Sequence, residues 1–255
     1  MILTRNLHMG ILAFMRTSPP PSAPAVLLVG GLGTRLRHLT ADRPKALVNV
    51  AGRPFIEWQI LALQEAGVDR IHLAAGYLAE QLEEWAARFR REGQAEISVE
   101  AEPEPLGTGG GLQFAAKDLV GERLLVVNGD TLLPRLDLRG FLRQGRPGGA
   151  TARMVVVESA DAARFGTVRL REDGSVAAFI EKGRDGPGWI NGGFYLLDRS
   201  ALMAVKRPAP WSLETDWFPE LAAAGQLIGV PAASPLLDMG TPEGFAEMER
   251  FLKGR

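Results

Sequence analysis

Residues Ala25–Val29 form a continuous apolar run that stops on the pair Gly30-Gly31. A run this short, apolar at every position and ending on glycine, reads as a parallel strand covered on both faces that feeds a tight loop. The pattern then repeats with helices in between. Phe55–Ala66 carries Ile56, Ile60, Leu61 and Leu63 at helical spacing, and Gly67 follows as a C-terminal cap. Arg70–Ala75 reads as a second strand. Leu78–Arg91 reads as a second helix, with Leu82, Trp85 and Phe89 on one stripe and Glu83, Glu84, Arg88, Arg90 and Arg91 on a solvated face. Ala95–Ala101 is a third strand, the glycine-rich segment Pro105–Gly111 leads into a helix near Leu112–Lys117, and Arg123–Val127 is a fourth strand. This alternation argues for an α/β fold: a mostly parallel, Rossmann-like open sheet with helices on both faces. Such sheets bind ligands beyond the carboxyl ends of their strands. Three loops of unusual composition, 30–37, 103–111 and 128–131, fall at those ends.

The second half changes character. Thr151–Val157, Gly166–Leu170 and Ser175–Ile180 are short strand-like runs, the last two joined through the turn Glu172-Asp173-Gly174. Trp189–Leu197 reads as a further strand and Thr215–Ala224 as a helix. No hexapeptide series follows, so no C-terminal β-helix is expected. Residues 1–24 stand apart: the apolar patch Gly10–Met15 is short, and Ser18–Pro24 is rich in Pro and Ser. They predict a disordered tail ahead of one folded domain, 25–255.

Net charge is -1, which gives no global field to recruit nucleic acid. The absence of cysteine excludes disulfides, thiolate metal sites and a cysteine nucleophile. No stretch reaches the roughly 18 apolar residues of a membrane span, and the broken, short apolar patch near the start does not make a signal peptide. A cytoplasmic protein without membrane partners is the expectation.

The loop Gly30-Gly31-Leu32-Gly33-Thr34-Arg35-Leu36 carries the strongest local signal. Glycines let backbone N–H groups approach an anion closely, and Arg35 offers a planar, permanently charged fork to the same oxygens. The loop lacks both the Gly-Lys-Ser/Thr ending of an ATPase P-loop and the glycine spacing of a dinucleotide fingerprint. A plain strand-to-helix turn is the alternative. Lys45 follows ten residues after Arg35, behind Pro44, whose ring restricts the local backbone. Asp130 follows a strand in Asn128-Gly129-Asp130, and Asp238 opens another glycine-rich turn. Either carboxylate can serve as an oxygen ligand for Mg²⁺, or simply close an Asx-turn. Glu214 is a candidate hydrogen-bond acceptor or a helix-capping residue. Glu102 and Glu104 flank the glycine segment and offer acceptor oxygens beside it.

Gly-Gly-Leu-Gly-Thr-Arg-Leu followed by Pro-Lys resembles the signature of the sugar-1-phosphate nucleotidyltransferases. Further matches come in family order: Pro105-Leu106-Gly107-Thr108-Gly109-Gly110, Asn128-Gly129-Asp130, Glu181-Lys182, Asn191-Gly192-Gly193 and Asp238-Met239-Gly240-Thr241-Pro242-Glu243. They span Val26 to about Phe245, nearly the whole chain after the tail. The resemblance implies a GT-A-like nucleotidyltransferase fold and transfer of a nucleoside monophosphate from a nucleoside triphosphate to a sugar 1-phosphate, releasing pyrophosphate. It also implies roles. Gly30, Gly31, Gly33, Thr34, Arg35, Leu106, Gly107, Thr108 and Gly109 hold the nucleotide; Asp130 and Asp238 share one Mg²⁺; Arg35, Lys45 and Lys182 carry the catalytic charge. Lys182 binds the 1-phosphate, while Glu181, Asn191, Gly192 and Glu214 meet the sugar. Within the family the motifs resemble the branch that joins GTP to D-glycero-α-D-manno-heptose 1-phosphate. Mannose-1-phosphate guanylyltransferases and N-acetylmuramate-1-phosphate uridylyltransferases share much of the pattern. A silent binding homologue and a metal-dependent glycosyltransferase are the alternatives from other classes, and a homodimer is the expected assembly.

Overall fold

The computed structural model describes residues 23–31, 33–91, 95–144, 149–160, 162, 167–180 and 186–254. The strands are β1 (Ala25–Leu28), β2 (Asn49–Val50), β3 (Arg53–Pro54), β4 (Arg70–Ala75), β5 (Glu96–Ala101), β6 (Arg123–Asn128), β7 (Thr131–Leu132), β8 (Ala152–Ser159), β9 (Thr167–Leu170), β10 (Val176–Ile180), β11 (Gly188–Asp198), β12 (Leu227–Ala232) and β13 (Leu237–Asp238). The helices are α1 (Arg37–Thr40), α2 (Phe55–Glu65), α3 (Ala79–Arg91), α4 (Gly107–Ala115), α5 (Leu138–Arg143), α6 (Arg199–Ala204), α7 (Phe218–Ala223) and α8 (Pro242–Lys253).

Strands β6, β1, β4 and β5 lie side by side and parallel, as the apolar runs require. β6 shows why those runs are continuous. Leu125 and Val127 join the core on one face with Ile60 and Leu63 of α2 and Leu82, Trp85 and Phe89 of α3. Leu124 and Val126 join the core on the other, with Leu112 of α4 and Phe218 of α7. Each fully buried leucine here contributes about 1.5–3 kcal/mol relative to exposure. The sheet then continues antiparallel. β11 pairs with β6 through Phe194–Asp198 and with β9 through Trp189–Ile190, while β8 runs along its length and accepts β12 in parallel. The register of β11 shifts between Asn191 and Tyr195, where Gly193 takes φ +72° and a Cβ on Gly192 would lie 2.9 Å from the Val155 carbonyl. The glycine pair therefore makes the kink at which β11 changes neighbours. Glu172-Asp173-Gly174 forms the turn between β9 and β10: Gly174 has φ +79° and the Asp173 carboxylate accepts from the Ser175 N–H.

A third, smaller core gathers Val48, Val50, Leu132, Leu237, Met248 and Leu252. It ties the C-terminal helix α8 and the pair β7–β13 beneath the front of the sheet. Thr241 caps α8 by accepting from the Gly244 N–H, and Pro242 supplies its first residue.

Three expectations need correction. Among the α2 positions Leu61 is only half-buried, and Gln59, 2% exposed, takes its place in the inward stripe with Ile56, Ile60 and Leu63. The segment expected to be helical over Thr215–Ala224 is helical, but it begins two residues earlier and opens as a π-turn, Leu213–Trp217, before α7. Ser212 caps that turn by accepting from the N–H groups of Glu214 and Thr215.

The third correction concerns the glycine segment, which forms the first turns of α4 rather than a loop before it. Glycine is needed there because Trp211 lies against the helix. A Cβ on Gly109 would sit 2.1 Å from the indole ring, and one on Gly107 would sit 2.3 Å from the Trp211 carbonyl. That carbonyl accepts from the Gly109 N–H at 3.0 Å, satisfying a donor that a helix start leaves over. Gly109→Ala should gain about 1 kcal/mol in helix propensity and lose about 1–3 kcal/mol to overpacking against the buried indole. Overpacking wins, because Trp211 is 4% exposed and has nowhere to retreat. A thermal melt should show a lower Tm; an unchanged or raised Tm would mean the indole moves aside.

Candidate active site

β1, β4, β5 and β6 all point their carboxyl ends at one cleft of about 420 Å³. Its walls are the three loops singled out by composition, now joined by residues from the second half of the chain.

The first wall leaves β1. Gly30 and Gly31 continue the strand outward, and Gly33 turns the chain with φ +60°, the left-handed conformation that glycine adopts without strain. A short turn, Thr34–Leu36, begins there; Leu36 is buried, and Thr40 Oγ1 donates to the carbonyls of Gly33 and Leu36. With Leu36 anchored, Thr34 and Arg35 are left exposed on the cleft. Pro44 starts a second turn whose Ala46 is buried, which throws Lys45 back into the same cleft.

The second wall is the turn after β6. A Cβ on Gly129 would lie 2.4 Å from the Leu28 carbonyl, and the Gly129 N–H donates to that same carbonyl at 3.0 Å. Only glycine allows the turn to lie so close to the end of β1. Asp130 then meets Lys45, with Nζ 2.6 Å from Oδ2. Asp238 arrives from the far end of the chain: β13 pairs antiparallel with β7, setting Asp238 opposite Thr131, and the Met239 N–H donates to the Asp130 carbonyl. Burial, and then the neighbouring charge of Asp130, push the Asp238 carboxyl above the usual carboxylate range, with Lys45 and Arg35 offsetting part of it. Asp238 Oδ1 also accepts from the Gly240 N–H at 2.7 Å, so it closes its own turn while facing Asp130.

The third wall follows β5. Glu102, the residue after that strand, is surrounded by glycine: a Cβ on Gly30, Gly76 or Gly111 would lie 3.0, 2.5 or 3.0 Å from its carboxylate. Burial pushes its carboxyl upward, and the Leu106 N–H, donating to Oε2 at 3.3 Å, pulls the other way. Glu104 is exposed and does not line the cleft. Of the two candidates, the geometry brings in Glu102.

Glu214 closes the site from the second half. Its Oε2 accepts from Thr108 Oγ1 at 2.7 Å and Ser212 Oγ at 2.9 Å, while Thr108 Oγ1 itself accepts from the Leu213 N–H. The capping work falls to Ser212, and Glu214 faces the cleft.

Other candidates lie elsewhere. Gly107 and Thr108 line the cleft, whereas Leu106 and Gly109 do not; Gly109 is covered by Trp211, and the Leu106 carbonyl accepts from the Trp211 N–H. Asn191 and Gly192 sit behind the cleft at the kink of β11. The Asn191 amide donates to Tyr195 Oη at 2.7 Å, and its Oδ1 accepts from the Gly193 N–H. The fully buried Tyr195 hydroxyl is held far in its neutral form by burial, helped by the charge of Glu214. Glu181, Lys182 and residues 1–22 of the expected tail lie outside the described residues. The reading of the residues missed Ser212 and Trp211, whose signals are single side chains in an unremarkable loop.

One cleft thus brings together Arg35, Lys45, Asp130 and Glu102, with Asp238 beside Asp130. Residues 24–254 match the family model described as nucleotidyl transferase. The chain belongs to this family. The chain is 36% identical over 226 residues to mannose-1-phosphate guanylyltransferase 1 of Arabidopsis thaliana, a match covering 87% of this chain and 62% of that protein. It is 30% identical over 229 residues to the D-glycero-alpha-D-manno-heptose 1-phosphate guanylyltransferase of Aneurinibacillus thermoaerophilus, covering 90% of this chain and 98% of the relative. Thus it spans under two thirds of the mannose-type relative and nearly all of the heptose-type one. The crystal structure of HddC from Yersinia pseudotuberculosis complexed with GMP-PN superimposes with a TM-score of 0.80 at 30% identity, covering 91% of this chain and 100% of that chain. Among the described residues, no helix is long and apolar enough to cross a membrane.

Proposed function

We propose that this chain transfers GMP from GTP to D-glycero-α-D-manno-heptose 1-phosphate, giving the GDP-sugar and pyrophosphate. The observation that carries this reading is the single cleft that joins Arg35, Lys45 and Asp130 to Glu102, with Asp238 beside Asp130 at its edge. The 98% coverage of the heptose-type relative supports the choice of sugar. Mannose 1-phosphate is the second reading, supported by the 36% identity to the Arabidopsis enzyme.

The 1-phosphate oxygen is already anionic, so an in-line attack on the α-phosphorus needs no general base. Catalysis is then positioning and charge stabilisation. Arg35 supports the departing pyrophosphate, and Lys45 steadies charge near the α-phosphate. Lys182, with Glu181, Asn191, Gly192 and Glu214, serves the sugar phosphate and its hydroxyls. The donor set fits Mg²⁺: Asp130 and Asp238 are two carboxylates near enough that the charge of Asp130 adds to burial in raising the Asp238 carboxyl, and no third carboxylate or histidine joins them among the described residues. Such a pair leaves ligand positions for phosphate oxygens. When bound, Mg²⁺ would neutralise charge on the triphosphate. We assign the reaction to the cytoplasm, the compartment that supplies nucleoside triphosphates.

Glu102 provides two acceptor oxygens for the N1–H and N2–H groups of guanine. Glu102→Gln should reduce kcat/KM for GTP by about 10–100-fold, the scale of one paired base contact, with little change in the poor rates for ATP and UTP. Unchanged preference for GTP would remove Glu102 from base recognition. The test of the whole reading is pyrophosphate release with Mg²⁺, crossing GTP, UTP, ATP, CTP and dTTP with heptose, mannose, glucose and N-acetylmuramate 1-phosphates. Highest kcat/KM is expected for GTP with the heptose 1-phosphate; release of nucleoside diphosphate instead of pyrophosphate would sink the class.

A further inference from the structure

Gln59 is a polar side chain in an apolar position. It shares the inward stripe of α2 with Ile56, Ile60 and Leu63 and is 2% exposed. Its amide Nε2 donates to the Asn128 carbonyl and to the Thr131 carbonyl, each at 2.8 Å. Those two carbonyls bracket Gly129-Asp130, the turn that carries the carboxylate paired with Lys45. One NH₂ group thus spends both of its protons on the two ends of one tight turn, 69 and 72 residues further along the chain. The partner oxygen, Oε1, has no hydrogen bond. A buried amide that leaves its own acceptor unpaired is retained for its donors. The turn is held from two further sides, by the Gly129 N–H on Leu28 and by the Met239 N–H on the Asp130 carbonyl. Among the described residues only Gln59 ties its two ends to each other.

We propose that Gln59 is a positioning residue that sets the Asn128–Thr131 turn so that the Asp130 carboxylate faces Lys45 and Asp238. The inference rests on the reading of Asp130 as a phosphate-site carboxylate. An apolar residue in the same space would leave two buried carbonyls without donors. The turn would then relax, and the carboxylate would lose its fixed direction while keeping its charge.

The test replaces the amide by a side chain of equal length without donors, Gln59→Met. Steady-state kinetics with GTP and the sugar 1-phosphate should show kcat lowered at least tenfold, with KM for the sugar 1-phosphate changed less than twofold. Binding of Mn²⁺ in the presence of GTP, followed by electron paramagnetic resonance without turnover, should weaken at least threefold. Leu63→Ala, on the same helix and in the same core, supplies the control for lost stability: it should lower Tm while preserving kcat and Mn²⁺ binding. Gln59→Asn, which keeps an amide on a shorter arm, should fall between wild type and Gln59→Met, and it takes over the test if the methionine variant does not fold. Adding Gln59→Met to Asp130→Asn should cost no more than Asp130→Asn alone, since a residue acting through Asp130 has nothing left to position. Wild-type kcat and Mn²⁺ binding in Gln59→Met would overturn the proposal, as would equal losses in Leu63→Ala or a full multiplicative loss in the double variant. If Asp130→Asn is impaired while Gln59→Met is not, only the positioning role fails. If Asp130→Asn behaves as wild type, the reading of Asp130 falls and the role of Gln59 with it.

Discussion

Asp130→Ala is expected to lower kcat by about 10²–10³-fold, the scale of removing one preorganised electrostatic group from a transition state, while the protein stays folded. The two halves of this expectation have separate physical grounds. The Asp130–Lys45 pair is short at 2.6 Å, but the Asp130 side chain is 34% exposed. An ion pair in contact with solvent contributes about 0–1 kcal/mol. Removing it also relieves Asp238, whose carboxyl is pushed up partly by the charge of Asp130. For a chain of this size 1 kcal/mol moves Tm by about 2–4 °C, so the melt should shift by a few degrees at most. Turnover should collapse because Asp130 both orients Lys45 and supplies one of the two carboxylates suited to Mg²⁺. Pyrophosphate release and a thermal melt on the same preparation decide the matter. A folded variant turning over at the wild-type rate removes Asp130 from the chemistry, and an unfolded one shows that the pair is structural.

Arg35→Ala should lower kcat/KM for the nucleoside triphosphate by about 10²–10³-fold with no measurable change in Tm. The side chain is exposed on the cleft, and the turn around it is held by Gly33, the buried Leu36 and the Thr40 hydroxyl rather than by Arg35. Arg35→Lys should recover only part of the loss, because an ammonium replaces a planar fork with a point charge. Equal activity in the lysine variant and the wild type would show that charge alone matters. Wild-type activity in the alanine variant would leave the glycine turn without its catalytic arm.

Much of the architecture was legible in the order of residues. The parallel core strands declare themselves because both faces of the sheet are covered, so Leu124–Val127 has no polar position at all. The stripe Leu82, Trp85 and Phe89 on α3 is equally local, and so is the turn at Glu172-Asp173-Gly174. The turn after β1 is local as well: the left-handed conformation of Gly33 is a property of that turn. Where the reading failed, a distant partner had changed the meaning of a residue. Gly109 looks like a loop residue exposing backbone to a base, yet Trp211, about a hundred residues away in the chain, covers it and makes it the start of α4. Leu61 fits an apolar helix stripe better than Gln59 does, until the turn at 128–131 is packed against that stripe.

Residue order alone determined the kinds of groups available for chemistry: a glycine turn with an arginine, a lysine behind a proline, and carboxylates at strand ends. Periodicity and turn chemistry are short-range, and they survive being read one segment at a time. Tertiary structure alone decided which of those groups meet. Lys45 finds Asp130 85 residues away, Thr108 finds Glu214 106 residues away, and Asp238 comes to lie beside Asp130 because β13 pairs with β7. Hydrogen bonds and ion pairs act over about 3 Å, so no spacing along the chain encodes them; the packed core that closes those distances does.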